Sequence, residues 1–217
     1  MDNQAGARQP YRIVTPPSAA TMACKRAFDI LCSFLGLTVL SPVLLVVSVL
    51  VAVTSPGGVF FRQERIGKDG RPFRIFKFRS MRKDNAGLKI TTGNDSRITP
   101  VGRFLRKSKI DELPQLINVL VGDMSFVGPR PEVADYVNLY TPYQRQVLLV
   151  RPGITGLASI RFRNENDLLT ASDDPNRTYV EQIMPRKIDL DLEYIPHASV
   201  FYDLKLIFQT FAVVIKE

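Results

Sequence analysis

Asp111 and Glu112 stand side by side near the start of the stretch Lys107–Glu132, KSKIDELPQLINVLVGDMSFVGPRPE, directly after the basic series Arg103, Arg106, Lys107 and Lys109. Adjacent carboxylates in a basic setting suit an acid that works beside a bound anion. Pro114 has no N–H, so a helix over Leu113–Leu120 is predicted to begin at Asp111, where proline falls among positions that need no donor. Both carboxylates then sit at a helix N-terminus, where free N–H groups and the macrodipole also favour phosphate. Gly122 ends that helix. Gly128-Pro129-Arg130-Pro131 follows as a stiff turn presenting one guanidinium, a group suited to bidentate phosphate binding. Taken alone, the dipeptide reads more simply as an acidic helix cap, and the turn as surface.

The rest of the chain must position these groups. Its 217 residues suffice for one domain with a sizeable core plus an appendage. Twenty-nine Lys+Arg against 21 Asp+Glu leave a charge of +8, which calls for an anionic partner: phosphates, nucleic acid or an acidic membrane surface. Cys24 and Cys32 lie in or beside an apolar segment and fit a reducing setting, not a disulfide framework. A single histidine, His197, argues against a zinc cluster or a Ser-His-Asp triad. Neither G-x-x-x-x-G-K-[ST] nor G-x-G-x-x-G occurs.

Residues 1–21 are polar, rich in Pro, Ala and Gln, and read as a disordered tail, not a signal peptide. Lys25-Arg26-Ala27-Phe28-Asp29 leads into Ile30–Val53, 24 uncharged residues, enough to cross a bilayer. Ser41-Pro42 interrupts the middle, where proline deletes a backbone hydrogen bond. Membranes tolerate kinked spanning helices. Yet Lys25 and Arg26 flank one end while Arg62, Arg65, Lys68, Arg71, Arg74 and Lys77 follow the other. Cations on both sides favour a segment that returns to the cytoplasm.

Beyond it, Phe60–Gly67 and Phe73–Met81 alternate around Lys68-Asp69-Gly70 and predict a hairpin with a basic face. Asn85–Ser96 reads as a polar loop. Thr99-Pro100 starts a helix to about Lys107. Glu132–Tyr140 carries a helical stripe, and Thr141-Pro142-Tyr143-Gln144 is a capping box opening another helix. Arg151–Leu157 is a Pro/Gly-fixed turn and Asp167–Asn176 a loop. Tyr179–Tyr194 reads as helix interrupted by Pro185. Ser199–Ile215 is a final amphipathic helix with Phe201, Leu204, Phe208, Phe211 and Ile215 on one face. His197, beside Pro196, reads as a structural turn residue.

The central stretch resembles the signature of the bacterial sugar transferases, monotopic phosphoglycosyl transferases acting on polyprenyl phosphate. The matching residues are Arg106, Ser108, Asp111–Leu116, Asn118-Val119, Gly122–Ser125 and Val127–Pro131, and a match of this length is specific. An F-x-Q-x-R-x-G…F…K-F-R-S-M block at Phe61–Met81 is also similar, as is Arg151–Leu157; Ser159 and Phe162 depart from the version many members carry. The likeness extends over roughly Lys25–Ile215. It implies a mainly helical α+β fold: a re-entrant membrane helix over 22–54, entered near Lys25 and Asp29 and bent at Ser41-Pro42, and a catalytic domain over 55–217. Within that domain a small β-hairpin and amphipathic interfacial helices surround a cytoplasmic catalytic core.

The implied reaction moves sugar-1-phosphate from a UDP-sugar to undecaprenyl phosphate, at the inner membrane, in the first membrane step of surface-glycan synthesis. Asp111 is the implied nucleophile, Asp111 and Glu112 the ligands of Mg²⁺, and Arg106 and Arg130 the phosphate clamps, with Lys77 and Arg79 near the site. The implied partners are UDP-sugar, polyprenyl phosphate and inner-membrane lipids, and a homo-oligomer is compatible with them. A membrane-anchored, non-catalytic scaffold is the rival, against which the intact Asp111-Glu112 pair speaks. A nucleic-acid binder is disfavoured by the membrane run and the lack of interleaved basic and aromatic residues.

Overall fold

The computed structural model describes residues 13–55, 57–82 and 97–215; the loop expected over Asn85–Ser96 and most of the N-terminal tail lie outside them. Among the described residues the fold is mainly helical, with two two-stranded sheets.

Helix α1, Ala19–Thr54, is capped by Ser18, whose Oγ accepts the Thr21 N–H at 3.2 Å. Within the stretch expected as tail, Val14 is buried in the main core and its N–H donates to Gln146. Among the described residues α1 is the one helix long and apolar enough to cross a membrane. Its 36 residues extend about 54 Å at ~1.5 Å per residue. Pro42 lies inside it and cannot donate to the Thr38 carbonyl four residues back; the Ser41 hydroxyl does so instead, at 2.8 Å.

Both ends of α1 are fastened to the rest of the chain. Near its start, Lys25 is ion-paired with Asp203 and donates to the Val127 carbonyl at 3.0 Å. Asp29 accepts the Ser125 hydroxyl and the Phe126 N–H, each at 3.1 Å. Near its end, Val47 and Val51 pack with Phe78 and Leu105. Between these anchorages Thr38, Val39, Ser41, Pro42 and Val43 are exposed.

Strands β1 (Phe60–Ile66) and β2 (Pro72–Phe78) form the expected antiparallel hairpin. Helix α2, Pro100–Lys107, starts at Thr99, which caps Gly102 N–H as its Thr-Pro sequence predicts. The next helix differs from expectation. Ile110–Glu112 forms a 3₁₀ turn, and α3 spans only Gln115–Val121 with Pro114 at its N-cap, so the paired carboxylates precede the helix. Lys109, at φ 57°, makes the sharp break after α2 that i→i+3 bonding then continues. At the far end Gly122 takes φ 101°, and two arginines serve the last carbonyls: Arg26 those of Val119 and Leu120, Arg151 that of Gly122.

Strands β3 (Ser125–Val127) and β4 (Gly153–Thr155) pair in parallel. The backbones meet so closely that a Cβ on Gly153 would lie 2.1 Å from the Gly128 nitrogen. The stripe after Glu132 yields only a short helix, α4 (Ala134–Val137), although Tyr136, Val137 and Tyr140 are buried as it implies. The capping box forms with both reciprocal bonds, Thr141 N–H to Gln144 Oε1 and Gln144 N–H to Thr141 Oγ1, and opens a 3₁₀ helix over Gln144–Leu149.

Helix α5 (Leu157–Arg161) follows β4. The loop expected over Asp167–Asn176 is largely helical instead, with α6 (Glu165–Thr170) burying Leu169 and α7 (Pro175–Thr178) capped by Asp174. Pro185 does not interrupt α8 (Met184–Tyr194) but sits in its first turn, after a π-helical turn over Tyr179–Ile183. Helix α9, Val200–Ile215, buries Asp203 and Leu206 and leaves Phe201, Phe208 and Phe211 exposed. The largest core cluster joins β3, α4, α8 and α9.

Candidate functional site

The adjacent carboxylates occupy unlike environments. Glu112 Oε1 accepts the Lys77 ammonium at 2.8 Å and the Arg130 guanidinium at 3.2 Å. Burial works to raise its pKa, but the two cations outweigh burial and hold it well below the usual carboxylate range. Asp111 is buried, and its Oδ1 has no hydrogen-bond partner. Burial first and the Glu112 charge second push its carboxyl up to about 6, opposed by Lys77, Arg106 and Lys109. One carboxylate is therefore paired through Oε1 with two cations and the other has a buried oxygen without a partner, at a cost of about 1–3 kcal/mol for an unsatisfied buried group. Gln115, one helical turn on, likewise has a buried Nε2 without a partner.

Each cation is placed by a separate element. Lys77 rides on β2, which is tied to α3 by Asn118: its side chain accepts Phe76 N–H at 2.9 Å and donates to the Arg74 carbonyl at 2.8 Å. Arg130 is held through the backbone around it. Gly153 N–H donates to the Pro129 carbonyl, Arg65 to the Pro131 carbonyl, and Ile66 N–H to the Glu132 carbonyl. Asp191 accepts the Arg130 N–H. Glu112 is the first influence raising the Arg130 pKa, so this guanidinium stays charged.

Asp111, Glu112, Lys77 and Arg130 thus converge, and Arg106 acts on Asp111 electrostatically while donating to the Met81 sulfur at 3.6 Å. Arg79 is engaged elsewhere, with the Gly58 and Phe60 carbonyls. Of the residues expected at membrane entry, Lys25 and Asp29 brace β3, which leads directly into the Arg130 turn. The sequence placed Arg65 only among the cations flanking the apolar run and Gln115 only within the matching stretch, with no role for either at the site. Arg65 stands in the F-x-Q-x-R-x-G block and Gln115 directly after Pro114 in the dyad stretch, so position was the available signal.

The donor set bears on a divalent cation. Among the described residues no group of three or more His, Cys, Asp or Glu forms a closed metal cage. Mg²⁺, which is usually held by one or two carboxylates plus waters and phosphate oxygens, fits a site offering the free Asp111 oxygen beside Glu112. Chemically, the arrangement offers an unpartnered carboxylate oxygen facing cations that can hold phosphate.

Comparison with known proteins follows the same line. A family model described as bacterial sugar transferase matches residues 20–217. The chain is 43% identical over 202 residues to a UDP-glucose:undecaprenyl-phosphate glucose-1-phosphate transferase of Escherichia coli K12, covering 90% of this chain and 41% of that protein. It is 39% identical over 199 residues to a UDP-N-acetylgalactosamine-undecaprenyl-phosphate N-acetylgalactosaminephosphotransferase of Aeromonas hydrophila, covering 89% and 44%. It is 40% identical over 199 residues to the exopolysaccharide production protein PSS of Rhizobium leguminosarum, covering 87% and 94%. The chain therefore spans about two-fifths of the length of the first two relatives and nearly all of the third.

Proposed function

Because the chain belongs to the bacterial sugar transferase family, we propose that it transfers sugar-1-phosphate from a UDP-sugar to a polyprenyl phosphate such as undecaprenyl phosphate. The observation that carries this reading is the split dyad, with Asp111 Oδ1 unpartnered and Glu112 Oε1 paired to two cations. In the first step an Asp111 oxygen attacks the sugar-bearing phosphorus, the bond to the bridging diphosphate oxygen breaks, and UMP leaves. In the second, the polyprenyl phosphate oxygen attacks the same phosphorus, and the Asp111 carboxylate returns as the leaving group. Both are in-line displacements in which charge crowding and positioning dominate the barrier. Arg130, Lys77 and Arg106 offset the phosphate charge. Bound Mg²⁺, held by Asp111 and Glu112, would neutralise diphosphate oxygens.

The direct test incubates purified protein in lipid nanodiscs with a panel of UDP-sugars. About one equivalent of UMP should appear without acceptor, together with one phosphosugar on the enzyme by intact mass, and UMP beyond one equivalent should require polyprenyl phosphate. Release of no UMP from any donor would overturn the reading.

A narrower expectation concerns Arg130. Arg130→Lys keeps the charge and loses the planar fork. It should lower kcat/KM about tenfold or more, corresponding to roughly 1.5–3 kcal/mol for a charged hydrogen bond. Unchanged kinetics would make the Pro129-Arg130-Pro131 turn an ordinary one.

The donor is water-soluble and the acceptor lipid-bound, so the site belongs at a bilayer surface. We read α1 as re-entrant, with both its ends and the catalytic domain on the cytoplasmic face of the inner membrane. Support comes from its anchorages: Lys25 and Val51 touch the same domain although 26 residues, about 39 Å of helix, separate them. A crossing helix would carry one of those ends away. A cysteine placed at Ser18, in a background lacking Cys24 and Cys32, should escape a membrane-impermeant thiol reagent in intact cells and react once the membrane is opened. Labelling of intact cells would mean a spanning helix. Ser41→Ala with Pro42→Leu should invert the tail or abolish activity, since it restores an unbroken apolar helix.

A further inference from the structure

Side chains of the β1–β2 hairpin alternate between two faces, and cross-strand partners share a face. The register therefore puts Gln63 and Arg65 on the same face as Phe73, Ile75 and Lys77. Ile75 seats that face on Val119 of α3 and on Met124. Lys77 is paired with Phe61, so it lies four residues from Arg65 along the hairpin, about 13 Å at ~3.3 Å per residue. One end of the face meets the dyad, where Lys77 pairs with Glu112 at 2.8 Å. The other meets the Pro129-Arg130-Pro131 turn, where Arg65 Nη1 donates to the Pro131 carbonyl at 3.1 Å and lies 3.5 Å from Glu132 Oε2.

We propose that Arg65 is a positioning residue for Arg130. It sets the Arg130 guanidinium against Lys77, through one rigid hairpin face, so that both cations meet the diphosphate of the donor. The inference rests on the reaction proposed above. It extends that reading to a group that does not itself bind substrate: both terminal nitrogens of Arg65 are engaged by protein, and its Nε is buried.

The chemistry of the side chain suits a strut. Nη1 reaches the turn while Nη2 donates to Gln63 Oε1 at 2.7 Å, on the strand that carries Arg65. A guanidinium fork can join strand and turn in this way, whereas an ammonium offers a single point. Glu132 completes the brace: Oε1 accepts the Tyr179 hydroxyl, Oε2 faces Arg65, and its carbonyl accepts the Ile66 N–H at 2.9 Å. Burial lowers the Arg65 pKa, the Glu132 carboxylate opposes that shift, and the Arg130 charge adds to it, so the two guanidinia sense each other at close range. Arg130 itself is 38% exposed and donates to Glu112 through one nitrogen, so its aim depends on where the turn is held.

A double-mutant cycle separates this role from direct binding and from general support of the fold. The measurement is the Kd of UDP, with Mg²⁺ present, for the full chain in nanodiscs. Arg65→Gln should weaken UDP about tenfold in the wild-type background, and by less than about twofold once Arg130→Ala has removed the guanidinium it positions. Arg65→Lys keeps the charge and loses the fork; it carries the same cycle, with about a threefold loss, in case the glutamine variant does not fold. Equal losses in both backgrounds would mean that Arg65 contacts the ligand or supports the fold at large. No loss in either would mean that the turn needs no strut, and each of these results overturns the proposal. If the wild-type protein neither binds UDP nor turns over any UDP-sugar, the parent reaction fails and the positioning role falls with it; if it turns over a UDP-sugar and the cycle shows no coupling, the positioning role alone fails.

Discussion

Asp111→Asn is expected to yield a protein that melts at a higher temperature than the wild type and has lost activity by orders of magnitude. The two effects share one cause. The Asp111 carboxyl titrates at about 6 in the fold against an unperturbed value of 3.8. The folded state therefore holds the proton more tightly, and stability falls as pH rises through that window. At pH 7 the ionised, buried Asp111 costs about 1–3 kcal/mol, taking roughly 1.4 kcal/mol per unit as an upper scale. Asparagine has nearly the same shape and no charge to desolvate. Its stabilising effect should be absent below about pH 4 and complete above about pH 7, a trend that thermal melts across that range would reveal. Turnover should collapse because an amide oxygen cannot take the place of the attacking carboxylate, and the phosphosugar adduct should disappear with it. A variant equally active and no more stable would mean that Asp111 is an ordinary acidic cap.

This opposition of stability and activity marks what the sequence could and could not disclose. The dyad, the Pro-Arg-Pro turn, the Gly122 stop, the Thr99 cap and the Thr141–Gln144 capping box are local, encoded within four or five residues, and all were legible. The difference between Asp111 and Glu112 was not, because it depends on Lys77, 35 residues earlier, and on Arg130, 18 residues later. Arg65 was hidden for the same reason, since its partners Pro131 and Glu132 lie 66 and 67 residues away. The helices at Glu165–Thr178 were masked by polar composition, and tertiary burial of Leu169 outweighs that weak local preference. On α9 the apolar stripe was visible, but not that Phe201, Phe208 and Phe211 face outward while Asp203 turns in to meet Lys25. An exposed aromatic face of this kind suits a protein seated on lipid.

Glu112→Gln is the complementary experiment, with both signs reversed for stability. The glutamate is the shared partner of Lys77 and Arg130, with side-chain exposures of 15% for Glu112, 17% for Lys77 and 38% for Arg130. Removing its charge strands a buried ammonium, a change that typically costs about 3–5 kcal/mol for a fully buried pair. The half-exposed Arg130 adds little because solvent screens it. A loss of about 2–4 kcal/mol is therefore expected, against the gain for Asp111→Asn. The variant should also move the acid limb of the pH–rate profile. In the wild type, kcat/KM should fall as pH drops through about 6, where Asp111 takes up its proton. Loss of the neighbouring negative charge, which helps to raise that value, favours the ionised form, so the limb should shift to lower pH. Activity should nevertheless decline about a hundredfold, because Lys77 and Arg130 are released from the geometry in which they meet phosphate. An acid limb still near 6 would show that Glu112 does not tune Asp111, and full activity would show that the two cations need no carboxylate to hold them.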